Sequence, residues 1–237
     1  MRTEAVIFDK DGTLLDFDAF WVSVSVSAIR ELLVRFGREE IPTEAFLSAF
    51  GVTDGVTDID GVLCKGTYEE MGEVAHGVLS AYGCAATRKD VIAALNEAYK
   101  KNTASGTVKP TDPRLAETLT ELKSRGIRLA VVTTDNTYIT RKSLESLGVW
   151  ELFDAVYTDD GHTPTKPDPF CAEDLCRRFG LSKEGVVMVG DTMTDVRFAK
   201  NAGIRVFALA KDEKCRARLS PYADAVVEKL SEIPDLL

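Results

Sequence analysis

Glu4-Ala5-Val6-Ile7-Phe8-Asp9-Lys10-Asp11-Gly12-Thr13-Leu14 is an apolar, partly β-branched run that stops abruptly at two carboxylates and a glycine. The run predicts a buried strand that delivers charged side chains to its C-terminal end. In an open parallel sheet, that end is where ligands bind. Two aspartates one residue apart repel each other unless a cation sits between them or one is protonated, so the pair invites a divalent cation. The residue types suit a nucleophile beside a general acid/base. Gly12 permits a sharp turn, and the Thr13 hydroxyl can hydrogen-bond to fix it. A surface Asp-Gly turn would carry the same letters, so the rest of the chain has to decide.

Composition narrows the field. The 237 residues can bury a substantial core as one large domain or two smaller ones, and 45% hydrophobic with 28% charged residues is a globular balance. No apolar run reaches the length of a membrane span, and no basic-then-apolar leader precedes the first strand, so cytoplasmic residence is the default expectation. A formal net charge of −9 argues against nucleic acid as a partner. It also requires any phosphate site to be made locally positive by a metal, a lysine and backbone N–H groups. The five cysteines form no Cys-x-x-Cys pair, which fits reduced thiols and excludes the usual zinc spacing.

After Asp16 the pattern changes. Phe17, Phe20, Trp21, Val24, Ala28, Ile29, Leu32, Leu33 and Phe36 recur at helical spacing up to Gly37. Further helices are predicted over 42–50, 68–82 and, with Thr87 as N-cap, up to 101. Four helices with no strand between them read as a separate bundle. Within it, Asp58-Ile59-Asp60-Gly61 copies the first motif without an apolar strand before it, and it reads as a loop between helices. His76 in this region reads as packing.

The α/β pattern resumes after a hinge at Thr107-Val108-Lys109-Pro110. A helix over 113–125 leads to a strand over 127–132 that ends in Thr133-Thr134-Asp135-Asn136. Here a hydroxyl and helix N–H groups could hold a phosphoryl oxygen. A helix over 138–147 and a strand over 155–157 follow. A loop containing His162, read as solvent-exposed, then reaches Lys166-Pro167 at the start of the next helix. Gly185-Val186-Val187-Met188-Val189-Gly190-Asp191-Thr192-Met193-Thr194-Asp195 is an apolar strand, a glycine and two aspartates that flank three residues as a helix begins. Such a pair can ligate a hard cation and support it from behind. Strands over 204–209 and 225–227 complete the sheet, and 230–237 is expected as a tail.

Phe8-Asp9-Lys10-Asp11-Gly12-Thr13-Leu14 resembles the first signature of the haloacid dehalogenase superfamily, whose phosphatases carry Asp-x-Asp-x-Thr after the first strand. Thr133, Lys166-Pro167 and Gly190-Asp191 to Asp195 resemble the second, third and fourth signatures, in that family's order. The resemblance implies a doubly wound, mostly parallel Rossmann-like α/β core over 1–15 and 108–237. An all-α helical-bundle cap over 16–107 would be inserted in it and close over the active site.

The implied activity is a Mg²⁺-dependent phosphatase acting on a small phosphorylated metabolite of phosphoglycolate or sugar-phosphate type, with no nucleic-acid or membrane partner, as a monomer or homodimer. Asp9 would attack phosphorus, and Asp11 would protonate the leaving oxygen and then activate water. Asp11 would hold its proton through repulsion by Asp9, Asp191 and Asp195. Mg²⁺ would bind the Asp9 carboxylate, the Asp11 backbone carbonyl and Asp191, with Asp195 orienting the shell. Thr133, with Thr134 beside it, and Lys166 would hold the phosphoryl oxygens. The carboxylate at Asp11 favours phosphoester chemistry over dehalogenation. Lys10 departs from the apolar residue often found between the aspartates. A phosphosugar mutase on the same core and a phospho-accepting receiver or binding module are the competing readings.

Overall fold

The computed structural model describes residues 2–237. The chain enters through strand β1 (Ala5–Phe8) and then runs through α1 (Phe17–Phe36), α2 (Thr43–Ala49), β2 (Val52–Thr53), β3 (Val56–Thr57), α3 (Val62–Lys65), α4 (Tyr68–Ala81) and α5 (Arg88–Asn102). It continues through α6 (Leu115–Ser124), β4 (Arg128–Asn136), α7 (Thr137–Ser146), β5 (Ala155–Asp159), α8 (Phe170–Phe179) and β6 (Val186–Gly190). Last come α9 (Met193–Ala202), β7 (Arg205–Leu209), α10 (Glu213–Leu219) and β8 (Ala225–Val227). The fold divides into two compact units: one runs to Asp16 and resumes from Val108 to Leu237, and the other spans Phe17–Thr107.

The first unit is built on a six-stranded sheet of order β5-β4-β1-β6-β7-β8, in which each neighbouring pair runs parallel. This is the doubly wound order, with β1 at the centre between β4 and β6. Side chains alternate across a strand, so Ala5 and Ile7 enter one apolar core with Met188 and Phe198, while Val6 and Phe8 enter the other with Leu119 and Val189. With both faces covered, every residue of β1 is buried, which is why the strand reads as an unbroken apolar run. Each buried Val, Ile or Phe side chain there contributes about 1.5–3 kcal/mol.

Two parts of this unit differ from the sequence expectation. Residues 230–237, expected as a tail, wind into a 3₁₀ turn over Leu230–Leu236 that buries Leu230 and Ile233 against Leu115, Leu119 and Leu122 of α6. Helix α10 was not foreseen. It is two turns long and buries only Cys215 and Leu219, too little periodicity to register.

In the second unit, α1 buries Phe20, Val24, Ala28, Ile29, Leu32 and Leu33 and packs with α5, which in turn packs on α4. The chemistry of the helix starts is plain: Thr67 caps α4 in a reciprocal pair with Glu70, and Thr87 caps α5 through the Asp90 amide. The Tyr99 ring is wholly buried, with its hydroxyl 2.6 Å from Ser25 Oγ. The unit is not purely helical. β2 and β3 form a two-stranded antiparallel ribbon, Val52 opposite Thr57 and Thr53 opposite Val56. Two-residue strands leave no alternation for a sequence pattern to show.

Candidate active site

Three adjacent strands, β4, β1 and β6, end at the same edge of the sheet. Asp9 is still part of the ladder, its amide donating to Val189 O at 2.9 Å. The backbone then folds back on itself: Lys10 O accepts from the Leu14 and Leu15 amides at 2.9 and 2.8 Å. Gly12 sits at φ 80°, where an added Cβ would lie 2.2 Å from Asp191 Oδ2. A side chain there would be strained and would overlap the neighbouring carboxylate. Thr13, expected to fix its own turn, instead donates to Asp191 Oδ1 at 2.8 Å and so ties the β1 loop to the end of β6.

Asp9, Asp191 and Asp195 converge, with one oxygen from each within 4.8 Å of the others. Lys166 Nζ donates to Asp9 Oδ1 and Asp195 Oδ1, both at 2.6 Å. The other oxygen of Asp195 accepts from the Thr192 amide at 3.0 Å and from the Thr192 hydroxyl at 2.6 Å, so both oxygens of this fully buried carboxylate are engaged. The Lys166 loop is itself held, with Asn201 Nδ2 donating to Pro167 O at 2.9 Å.

Electrostatics explains why these groups need one another. Burial pushes the Asp9 carboxyl up to about 7; Lys166 pulls it back, while Asp195 and Asp11 add to the rise. Asp191 is raised well above the carboxylate range by burial, then by repulsion from Asp9 and Asp195. Burial works against the charge on Lys166, but Asp195 and Asp9 outweigh it and hold the ammonium above the usual lysine range. Three carboxylates thus face one ammonium, a deficit of two positive charges. One divalent cation would fill that deficit, and the all-oxygen donor set suits a hard ion. Both Asp195 oxygens already accept hydrogen bonds, whereas for Asp9 and Asp191 only one oxygen each does.

Asp11 has a different partner from the other three aspartates. Its carboxylate is outside the crowded group and accepts from Lys10 Nζ at 2.7 Å. The reason is Lys10, which is completely buried and also lies 3.1 Å from Asp135 Oδ2. Burial opposes the charge of Lys10, but Asp11 and Asp135 outweigh it and keep the ammonium form. Asp135 was not singled out in the sequence. The available signal was two opposite charges, Lys10 and Asp135, at the ends of neighbouring strands.

The remaining residues separate. Thr133 is buried at the end of β4, and its Oγ1 accepts from the Asp135 amide at 3.1 Å, which leaves its hydroxyl proton to donate elsewhere. Thr134 is exposed. His162 is exposed in its loop, and His76 lies on α4 with Nε2 3.4 Å from Ser80 Oγ. All five cysteines are free. Among the described residues, no helix is long and apolar enough to cross a membrane.

Residues 3–203 match the family model described as "Hydrolase: haloacid dehalogenase-like hydrolase". By sequence the chain is similar to a phosphoglycolate phosphatase of Nitrosospira multiformis, at 27% identity over 235 residues, which make up 99% of this chain and 95% of that protein. It is also similar to the pyrophosphatase PpaX of Bacillus velezensis, at 36% identity over 118 residues, 49% of this chain and 55% of that one. Among solved structures, a HAD-superfamily hydrolase of subfamily IA, variant 1, from Geobacter sulfurreducens shares the fold. The two align with a TM-score of 0.70 and 21% identity, covering 99% of this chain and 96% of that one.

Proposed function

The chain belongs to the haloacid dehalogenase-like hydrolases, and from that premise we propose that it is a Mg²⁺-dependent phosphatase of a small phosphorylated metabolite, working through an aspartyl-phosphate intermediate. The observation that carries this reading is the pairing of Asp9 with Lys166 inside a buried carboxylate group two positive charges short of neutrality.

Asp9 is the nucleophile. Its Oδ attacks phosphorus as the bond to the leaving oxygen breaks, and that oxygen takes a proton from Asp11. In the second half-reaction, water attacks phosphorus, its proton passes to Asp11, and the electron pair of the acyl-phosphate bond returns to the Asp9 carboxylate. Lys166 and the free proton of the Thr133 hydroxyl bind the equatorial phosphoryl oxygens, where charge accumulates. The Asp9 and Asp191 carboxylates and the Asp11 main-chain carbonyl would hold Mg²⁺. Bound there, the ion supplies charge neutralisation and polarisation of the phosphoryl group.

The substrate class rests on phosphoryl chemistry common to the two relatives' names, a phosphoglycolate phosphatase and a pyrophosphatase. Nearly full-length matches occur to both kinds of relative, at 27% identity to the phosphoglycolate phosphatase and 23% to a pyrophosphatase PpaX of Oceanobacillus iheyensis, and the higher of these favours a phosphomonoester. The stronger identity to the Bacillus velezensis pyrophosphatase covers half of the chain and makes pyrophosphate the second reading. The test is a phosphate-release screen over phosphoglycolate, sugar phosphates, nucleotides and pyrophosphate, with Mg²⁺ and with EDTA. Multiple turnovers of a monoester that stop in EDTA are expected. A single stoichiometric phosphorylation, or activity that EDTA leaves intact, would overturn the proposal.

A further inference from the structure

Lys166 already serves the nucleophile cluster, so the presence of a second buried lysine beside it calls for another explanation. Lys10 has no exposed surface and therefore touches no ligand. Its ammonium bridges Asp11 Oδ1, at 2.7 Å, and Asp135 Oδ2, at 3.1 Å. Asp135 is itself anchored: its Oδ1 accepts from the Asn136 amide at 2.8 Å and from Asn136 Nδ2 at 3.3 Å. Its amide donates to Thr133 Oγ1. This stretch of β4 is also where the register with β5 shifts, between Val132 and Asn136. The outcome is a strut from β4 through Asp135 and Lys10 to Asp11, in which the lysine is fully buried while the Asp11 and Asp135 side chains are 19% and 13% exposed.

We propose that Lys10 and Asp135 are positioning residues, a buried ion-pair strut that fixes the Asp11 carboxyl in the direction required for proton transfer to the leaving oxygen. This rests on the phosphatase reading above. The step affected is a single one: the bond from Asp9 to phosphorus forms, the bond from phosphorus to the ester oxygen breaks with its electron pair, and the proton moves from Asp11 to that oxygen. An alkoxide leaving group needs the proton. A p-nitrophenolate departs without it.

The test therefore compares kcat/KM for phosphoglycolate and for p-nitrophenyl phosphate at saturating Mg²⁺, since kcat/KM covers only the steps up to loss of the leaving group. In Lys10→Met, kcat/KM for phosphoglycolate should fall by about 100-fold while that for p-nitrophenyl phosphate changes by less than about fivefold, because a misdirected acid forfeits general-acid catalysis alone. Asp135→Asn conserves shape, keeps the test alive should Lys10→Met not fold, and should give the same selectivity at about tenfold. A structural role would lower both esters together. Equal loss on the two esters, or no loss in either variant, overturns the strut while leaving the phosphatase reading intact. The alkyl ester is whichever monoester the screen above finds turned over, and a wild-type enzyme that turns over no monoester overturns both.

Discussion

The chain contains Asp-x-Asp-Gly twice, and the two copies lead different lives. Asp9-Lys10-Asp11-Gly12 follows a fully buried strand paired on both sides. Asp58-Ile59-Asp60-Gly61 follows Val56–Thr57, which pairs only with Val52–Thr53. At the first copy, burial makes every carboxylate seek a cation, and Lys166 and Lys10 answer. At the second, both aspartates are exposed. Asp58 Oδ1 accepts from the Asp60 amide at 3.1 Å, and Asp58 O accepts from the Gly61 amide at 2.8 Å. The second copy makes a turn, and its backbone is so close to Gly51 that a Cβ on Gly61 would come within 3.0 Å of Gly51 Cα. The four letters encode a turn; low dielectric and neighbouring strand ends turn the first copy into a cluster of paired buried charges.

Paired substitutions break the comparison most sharply. Asp9→Asn should cost at least about a thousandfold in kcat by removing the nucleophile, and no phosphoenzyme should be trapped by acid quench. Asp58→Asn should leave kcat/KM within about twofold, because an exposed turn carboxylate has no share in the chemistry. The glycines separate next. Gly12→Ala places a methyl group against Asp191 in left-handed backbone, which costs about 1–2 kcal/mol of conformational strain, and it should abolish most activity by displacing a metal ligand. Gly61→Ala presses on Phe50 O and Asp58 O, so thermal unfolding should report a loss of about 1–3 kcal/mol from overpacking. An inactive Gly61→Ala that retains its wild-type Tm would contradict this division of labour.

Mg²⁺ sharpens the contrast through pH. Asp9 and Asp191 are raised by burial, so in EDTA the folded protein binds more protons than the unfolded chain between pH 4 and about 7. Stability contributed by these groups is then full at the acid end and falls as pH rises through that window. Mg²⁺ needs the deprotonated carboxylates, so the rise in Tm on adding it should be larger at pH 8 than at pH 5, measured by calorimetry. Asn at position 9 should remove most of that difference, and Asn at position 58 should leave it unchanged.

How much of this could be read beforehand follows from the same physics. Buried parallel strands announce themselves as apolar runs, so the ends of β1, β4 and β6, and with them Asp9, Thr133 and Asp191, stood out. Helices α1, α4 and α5 were legible through period and caps. The Lys10 to Asp135 pair was not, because a lysine in a loop ordinarily lies in water, and its partner comes from a strand more than a hundred residues further along the chain. The same burial explains why Asp11 turns from the carboxylate group toward Lys10. Short elements, the β2–β3 ribbon, α10 and the terminal 3₁₀ turn, hold too few residues for a pattern and take their shape from what they pack against.

The smallest effect is expected at Asp60, and it tests the comparison from its quiet side. Asp60 pairs with Lys65, but the two side chains are 54% and 50% exposed. Water competes for both charges, and holding two mobile side chains together costs entropy. Asp60→Asn should therefore shift stability by no more than about 0.5 kcal/mol, and kcat/KM should stay at the wild-type value. The Lys10–Asp11 pair is made of the same two residue types, with one partner at 0% and the other at 19% exposure. In Lys10→Met, Asp11 and Asp135 would lose their shared cation in a poorly solvated place, which costs several kcal/mol. Chemical denaturation of the two variants side by side gives the ratio directly. Equal losses would mean that burial at the first copy does not set the strength of its ion pairs, and the distinction between the two copies would then rest on sequence position alone.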